Sequence, residues 1–181
     1  HYEGRAMVTS PREKFILQCK QIMEDYEHQG KHEEMRQWMR YMVRKDIFFL
    51  AVFVCEREDI NRDWLYDRCL EVQENPDGYL DIWAREHYKS TIITWLKTIQ
   101  DILIDAEERI CIYSFNQTLA KSFVSQVKTE LESNWRLKWL FPEILWEDPL
   151  KGTYIDDEGK RQRIPWTTDS IRVKRKNRAK E

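Results

Sequence analysis

No two of the four cysteines form a Cys-x-x-Cys pair, and no histidine lies at zinc-finger spacing from them. The sequence therefore disfavours a zinc site. His28 and His32 have the i, i+4 spacing of helical metal ligands, but no carboxylate partner accompanies them in the pattern. Cys19, Cys69 and Cys111 each fall within an apolar pattern, which predicts reduced, buried thiols in a cytoplasmic protein.

Long hydrophobic runs are also missing. The longest, residues 47–55, is too short to cross a bilayer and predicts a buried helical segment, so we expect no membrane partner. No signal peptide, internal repeat or low-complexity segment is visible. With 34% charged and 41% hydrophobic residues, the composition is typical of a soluble globular protein. The net charge of −2 does not mark the whole chain as a nucleic-acid binder.

The first part of the chain has the apolar period of helices. Ser10, Pro11 and Glu13 form the pattern of a capped helix start, and Gly30 is placed to end that helix. Further helical stretches are predicted from about residue 31 and over 63–73, with a Met-rich stripe that favours core packing over a partner groove. Residues 1–75 are therefore interpreted as a helical N-terminal region.

An α/β pattern follows the turn signal at residues 75–78. Residues 79–84 have the length and composition of a buried strand, and a polar turn leads into a helix that begins near residue 88 or 89. A second strand is predicted at 109–115, before another helix. This alternation predicts a parallel sheet with flanking helices over residues 76–181. Ligands bind such sheets at the carboxyl ends of the strands, here residues 84–89.

Strand, turn, Lys-Ser/Thr and helix in that order form the layout of a phosphate-binding loop. The first turn of a helix has unpaired N–H groups that attract phosphate, and Lys89 and Ser90 stand where a phosphate ligand and a Mg²⁺ ligand belong. The usual pattern places glycines at two positions that are Trp83 and Tyr88 here. The alternative interpretation is an ordinary helix start, with Ser90 or Thr91 near the cap.

The run DRCLEVQENPDGYLDIWAREHYKSTIITWLKTIQDIL, residues 67–103, resembles the large terminase subunits of tailed bacteriophages and prophages. Those proteins are DNA-packaging ATPases whose phosphate loop often deviates from the usual pattern, with an arginine early in the loop and Lys-Ser/Thr at its end. The segment WAREHYKST is similar to such a variant. The resemblance extends over about residues 64–176 and is closest over 76–91.

The resemblance implies a P-loop NTPase-like fold and an ATP hydrolase that uses ATP and Mg²⁺ to drive double-stranded DNA into a procapsid. It implies catalytic roles for Lys89 and Arg85, and a metal-binding role for the Ser90 hydroxyl. The nucleotide-binding set that it implies is Arg85, Glu86, His87, Tyr88, Lys89, Ser90 and Thr91. Implied partners are DNA, the portal, the small terminase subunit and further copies in a ring, in the cytoplasm of the bacterial host.

One part of such an ATPase is not evident in the sequence. An apolar strand ending in an acidic pair should hold Mg²⁺, but residues 147–148 and 156–157 follow unconvincing runs. The nuclease domain of the family is also not evident. We therefore expect an incomplete fragment of a longer protein, with negligible ATP turnover by itself. Another P-loop ATPase, helicase-like or a small-molecule kinase, and a non-enzymatic helical or nucleotide-fold interaction domain remain as alternatives.

Two further segments have open interpretations. Residues 172–180 carry six positive charges, which suits DNA contact, nucleotide contact across a subunit interface or a solvated end. Arg172, Arg175 and Arg178 are the candidates for a contributed arginine. The aromatic residues of 135–146 could stack on bases, although packing on an apolar edge is the favoured interpretation.

Overall fold

The computed structural model describes residues 9–75, 78 and 80–175, and the described part is built mainly of helices. The α-helices are α1 (Pro11–His28), α2 (His32–Lys45), α3 (Ile47–Phe49), α4 (Asp63–Glu74), α5 (Thr98–Ile104), α6 (Gln117–Ser133) and α7 (Trp135–Leu140). Two segments have π-helical hydrogen bonding: Leu50–Val54 continues α3, and Ser90–Lys97 leads directly into α5. Short 3₁₀ turns lie at Glu58–Ile60 and Pro149–Lys151.

The start of α1 is the capping box that the sequence predicts. The Ser10 hydroxyl accepts a hydrogen bond from the Glu13 N–H at 3.2 Å, and the Ser10 N–H donates to the Glu13 carboxylate at 3.0 Å. Pro11 occupies the first turn, and Gly30 adopts a φ of 66° just beyond the helix. Arg12 then joins α1 to α4 through Asp63, at 2.7 Å. The predicted helices from about residue 31 and over 63–73 are confirmed as α2 and α4.

The core lies where α2, the helical segment 47–54, α4 and the helix over 90–104 meet. Its fully buried large side chains are Phe48, Phe49, Phe141, Ile47, Leu50, Ile60, Leu65, Ile92, Leu96, Ile99, Leu103 and Leu131. Cys19 and Cys69 are buried free thiols, as predicted, whereas Cys111 is exposed and the prediction of burial is wrong there. The run 47–55 is the buried helical segment that its length indicated, and no helix in the described part of the chain is long and apolar enough to cross a bilayer.

The predicted parallel sheet is wrong. Residues 80–84 and 109–114 are not strands, and Tyr79 lies outside the described residues. The sheet present in the described ranges is a two-stranded antiparallel hairpin of β1 (Thr153–Ile155) and β2 (Arg161–Arg163).

The physical reason is that a strand exists only through its neighbours. Backbone N–H and C=O groups of an extended segment need a paired strand, and within the described ranges neither segment has one. The side chains that suggested buried strands are also in solvent, since Leu80 is 80% exposed and Tyr113 90% exposed. Helices therefore supply most of the apolar packing that the sequence analysis assigned to a sheet.

The aromatic segment 135–146 packs only in part, and not on the predicted sheet, since Trp135 and Trp139 are exposed. Leu137, Leu140 and Phe141 are buried, and the Trp146 indole donates to the Arg172 carbonyl at 2.8 Å. The turn expected at 75–78 falls partly on Pro76 and Asp77, which lie outside the described residues.

Asp46 is a buried carboxylate at the junction of α2 and α3. One of its oxygens accepts a hydrogen bond from the Phe49 N–H at 2.6 Å, so it caps α3. Burial raises the pKa of this carboxyl more than its hydrogen bonds from the Phe49 and Phe48 amides lower it. Because the pKa is raised in the folded state, protonation of the Asp46 carboxyl stabilises the fold. This contribution of protonation is fully present below the unfolded pKa and is lost as the pH rises through the folded pKa.

Two substitutions of Asp46 distinguish the effect of its capping hydrogen bond on stability from the effect of its buried charge. Asp46→Asn keeps an acceptor without the buried charge, so its stability should be at least that of the parent at neutral pH, with a weaker pH dependence. Asp46→Ala loses the cap and should cost about 1 kcal/mol or more. Urea unfolding followed by circular dichroism between about pH 4 and about pH 7 measures both, with Glu24→Gln on exposed α1 surface as the control. An unchanged pH dependence in Asp46→Asn would contradict the role assigned to this carboxyl.

Candidate functional site

The helix that follows the predicted phosphate loop begins at Lys89 and ends at Ile104. Its first part, Ser90–Lys97, receives no side-chain cap, and the Ile92 N–H donates to the Tyr88 carbonyl at 2.9 Å. Lys89 is the cap residue and Ser90 and Thr91 follow it in the first turn, as the interpretation of an ordinary helix start expected, although neither hydroxyl caps the helix. Because the first N–H groups of a helix have no partner within it, this uncapped end offers donors to an anion.

The turn before this helix has an unusual backbone. Glu86 has a φ of 63° and Tyr88 a φ of 62°. This left-handed region suits glycine, and it costs other residues about 1–2 kcal/mol each. Tyr88 stands where the usual phosphate-loop pattern has glycine, so the backbone takes a conformation typical of glycine at a position that lacks one.

The polar side chains of the loop face solvent. Arg85, Glu86, His87, Lys89 and Ser90 are exposed, and Thr91 is half-buried. The His87 ring nitrogen Nδ1 lies 2.7 Å from the Arg85 carbonyl, a contact that closes the turn. Within the described ranges, Arg85 and Lys89 join no ion pair. Both cations are therefore available to an anionic ligand on the same short stretch as the uncapped N–H groups.

Tyr88 is held from a distant part of the chain. Its hydroxyl lies close enough to the Asp59 carboxyl to contribute to the lowered pKa of that group. Asp59 in turn accepts two bonds from Arg57, at 2.8 Å from Nε and 2.7 Å from Nη2. The ring of Trp64 lies 6.2 Å from that of Tyr88, edge-on. The guanidinium of Arg57 also lies over the Trp95 ring at 5.2 Å, so the same residue contacts the helix behind the loop.

Sequence analysis missed Arg57, Asp59 and Trp64. They precede the loop by more than twenty positions and belong to no recognised pattern, so no local signal marks them. Arg57 is the largest cause that lowers the pKa of Asp59, and the Tyr88 hydroxyl lowers it further. A lowered pKa means that the stabilising effect of this carboxylate is present above the unfolded pKa and is lost as pH falls through the folded pKa.

The residues present fit a phosphate group better than they fit a metal ion. The uncapped helix end and the two cations are complementary to phosphate, whereas Ser90 is the single hydroxyl placed for Mg²⁺ at the helix start. Within the described ranges no group of three His, Cys, Asp or Glu side chains could hold a metal ion. The acidic candidates serve other purposes: Asp148 caps a 3₁₀ turn and pairs with Lys151, and Asp156 accepts bonds from two backbone amides of the hairpin turn.

A second candidate surface is a cleft beside the β1–β2 hairpin, which we call the basic cleft. Its cationic lining residues are Arg109, Arg161, Arg172, Lys174 and Arg175. The guanidinium of Arg172 lies 3.8 Å from the centre of the Tyr154 ring, and Lys174 donates to the Pro142 carbonyl at 2.8 Å. Arg175 donates to the Glu108 carbonyl, and its Nε is buried without a hydrogen-bond partner in the described part of the chain.

Four carboxylates also line the basic cleft, those of Glu107, Glu143, Asp156 and Asp157, and two of them have partners outside the cation set. Glu143 pairs with Arg40, and Asp156 closes the hairpin turn. Arg109 and Arg161 take part in no ion pair among residues 9–75, 78 and 80–175. Arg178, the third arginine proposed from the sequence, lies outside the described residues.

Comparisons with protein-family models, with curated proteins and with solved structures find no match to this chain.

Arg57→Gln tests the electrostatic support of the loop. Removing the guanidinium removes the largest cause of the lowered pKa, so the pKa of Asp59 should rise toward its ordinary value. The carboxyl ¹³C chemical shift of Asp59, followed by NMR through an acid titration, measures this change. Arg62→Gln, a neighbouring arginine outside this contact, is the matched control. An Asp59 titration identical in parent and Arg57→Gln would contradict the contact.

Proposed function

We propose that this chain is the nucleotide-binding part of the ATPase motor of a phage or prophage terminase large subunit. The observation that carries the proposal is the sequence Lys89-Ser90-Thr91 at an uncapped helix start, directly after a turn with two left-handed residues. That arrangement combines free N–H donors, a compact cation and a hydroxyl, which are the groups that phosphoryl transfer uses. The proposal does not depend on the parallel sheet.

Each loop residue has a role in this proposal. Lys89 binds β- and γ-phosphate oxygens, and Arg85 approaches the γ-phosphate, where charge develops during hydrolysis. The backbone N–H groups of residues 86–91, which include His87 and Thr91, surround the phosphates. The Ser90 hydroxyl would be one ligand for Mg²⁺, and the ion would neutralise phosphate charge. The carboxylate that completes the metal site and the group that orients water are expected outside this chain.

Double-stranded DNA is the proposed partner of the basic cleft. Arg109 and Arg161, two exposed cleft arginines that join no ion pair within the described ranges, suit contact with successive backbone phosphates, and phosphate contacts carry most of non-specific affinity. In the whole protein, we propose a ring of copies that meets the portal and the small terminase subunit in the cytoplasm of the bacterial host. A nuclease domain in the longer protein would cut the packaged DNA.

Two other functions make different predictions for the same loop. A helicase-like ATPase would show turnover stimulated by single-stranded DNA. A non-enzymatic interaction domain is favoured by one observation, the exposed apolar side chains of residues 110–115, which include Tyr113 and Phe115. That function requires no nucleotide binding, so titration of this chain with ATP and Mg²⁺ separates it from both ATPase proposals.

Lys89→Ala tests the motor proposal. Lys89 is exposed, so little packing is lost, and the fold should be unchanged by circular dichroism. In the full-length protein, ATP turnover with DNA should fall by roughly 10²–10³-fold or more, because a positioned transition-state donor is lost. Arg85→Ala should also slow turnover, with a smaller effect on nucleotide binding.

The matched control is Lys20→Ala, an exposed lysine of α1, which should leave turnover unchanged. A folded Lys89→Ala protein that hydrolyses ATP at the parent rate would rule out this loop as the motor site. Nuclease activity should survive both loop substitutions, since it belongs to a separate domain in the proposal.

The basic cleft gives an independent prediction. Arg161→Ala and Arg172→Ala should each weaken binding to double-stranded DNA regardless of its sequence, and each should reduce the slope of log affinity against log salt by about one. Fluorescence anisotropy with a labelled duplex at several salt concentrations measures both quantities. Lys14→Ala on α1 is the control, and an unchanged salt slope in both cleft variants would exclude this cleft as the DNA surface.

A further inference from the structure

Residues 109–115 form a segment of surface chain whose backbone has no partner. The segment belongs to no helix or strand, and all its residues have negative φ. Among the described residues, none of its N–H or C=O groups takes part in a backbone hydrogen bond. Such groups need hydrogen-bond partners, and a row of them left to solvent is an edge on which another chain can pair.

The side chains of this segment are those of a strand that lacks a neighbour. Ile110, Ile112, Tyr113 and Phe115 belong to the β-branched and aromatic types that favour strands. Tyr113 is 90% exposed and Phe115 is 88% exposed, and Ile110 is exposed as well. Contiguous apolar side chains on a surface mark contact sites for other molecules. The segment therefore has both the backbone and the side chains that strand pairing requires.

A groove of about 640 Å³ lies beside this segment. Residues 109–113 line it together with α5, α6 and the chain over 165–175. The apolar lining residues of those other elements include Ile102, Val124, Val127, Ile171 and Val173. Because side chains alternate between the two faces of a strand, a peptide paired along the groove directs every second side chain toward apolar walls.

The charges that line the groove have an excess of positive sign. Its cationic lining residues are Arg109, Arg172 and Arg175. None of these arginines joins an ion pair in the part of the chain that the structure describes. The acidic lining residues are Glu108 and Asp169, and Asp169 pairs with Lys121 at 3.0 Å. An acidic partner complements this excess.

We propose that residues 109–115 are a docking site for an acidic peptide segment of a partner protein, which adds to them as a β-strand. Its apolar residues pack in the groove, and its carboxylates lie beside the arginines. A peptide supplies the alternating N–H and C=O groups that the segment lacks, whereas a nucleic-acid duplex supplies only acceptors along its backbone. The inference goes beyond the proposed nucleotide function and is independent of it, since no residue of 85–91 takes part.

The probes are labelled peptides of about eight residues in which valine, isoleucine, leucine or phenylalanine alternates with glutamate. Fluorescence anisotropy with the full chain measures affinity, and hydrogen exchange followed by NMR reports which backbone amides become covered. At least one peptide should bind with a Kd on the order of 10–100 μM, and exchange should slow at residues 109–115. The proposal is overturned if no peptide binds at up to about 1 mM, or if binding leaves these amides unprotected.

N-methylation of the best peptide separates backbone pairing from contact of side chains. Successive N–H groups of a strand point to opposite edges, so methylating one alternate set of amides removes the donors toward residues 109–115, and methylating the other set does not. One methylated peptide should therefore lose affinity by about tenfold or more, while the other, its matched control, binds as the parent peptide does. Equal affinities of the two would overturn strand addition.

Two substitutions of exposed residues test the protein side, and circular dichroism verifies the fold of each. Arg109→Glu should weaken glutamate peptides severalfold and favour peptides in which lysine replaces glutamate, with Lys14→Glu on α1 as the control. Tyr113→Ser should weaken peptide binding but leave the affinity for a labelled DNA duplex unchanged. If Tyr113→Ser weakens binding of the duplex and not of the peptides, the segment is a nucleic-acid surface and the proposal fails.

Discussion

Burial of one face of the helix from Lys89 to Ile104 is the constraint on which the candidate site depends. Ile92, Leu96, Ile99 and Leu103 are fully buried, and burying each stabilises the fold by about 1.5–3 kcal/mol relative to exposure. Gln100 on the same helix donates to the Val43 carbonyl at 3.1 Å, which fixes the helix against α2. With the rest of the helix immobilised, its first turn is held at the surface, where Lys89 is exposed.

The sequence was sufficient wherever the determining interactions are local. The capping box of α1 involves Ser10 and Glu13, three positions apart, and the apolar face of the 90–104 helix repeats every three to four residues. Both can be recognised without knowledge of distant contacts. The same reasoning located the turn and the Lys-Ser/Thr pair of the candidate site, because these depend on consecutive residues.

The sequence was insufficient wherever a distant partner decides the outcome. A short apolar run such as 109–115 has the composition of a strand, but its conformation depends on a neighbour that no local pattern specifies. The thiol of Cys111 was predicted to be buried for the same reason and is exposed. The contact of Trp64 with Tyr88 was missed because it joins parts of the chain that are far apart in sequence.

The missing glycine at position 88 illustrates how a motif differs from the conformation that it encodes. A phosphate loop requires a backbone with positive φ near the helix start, and glycine is the residue that meets this requirement with no help from its surroundings. Tyrosine reaches the same region of φ, 62°, with an edge-on ring contact to Trp64. A sequence motif detects a glycine at this position, but it does not detect a tyrosine that adopts the same φ. The positive φ values at 86 and 88 therefore show that the absence of glycine does not exclude a left-handed turn before this helix.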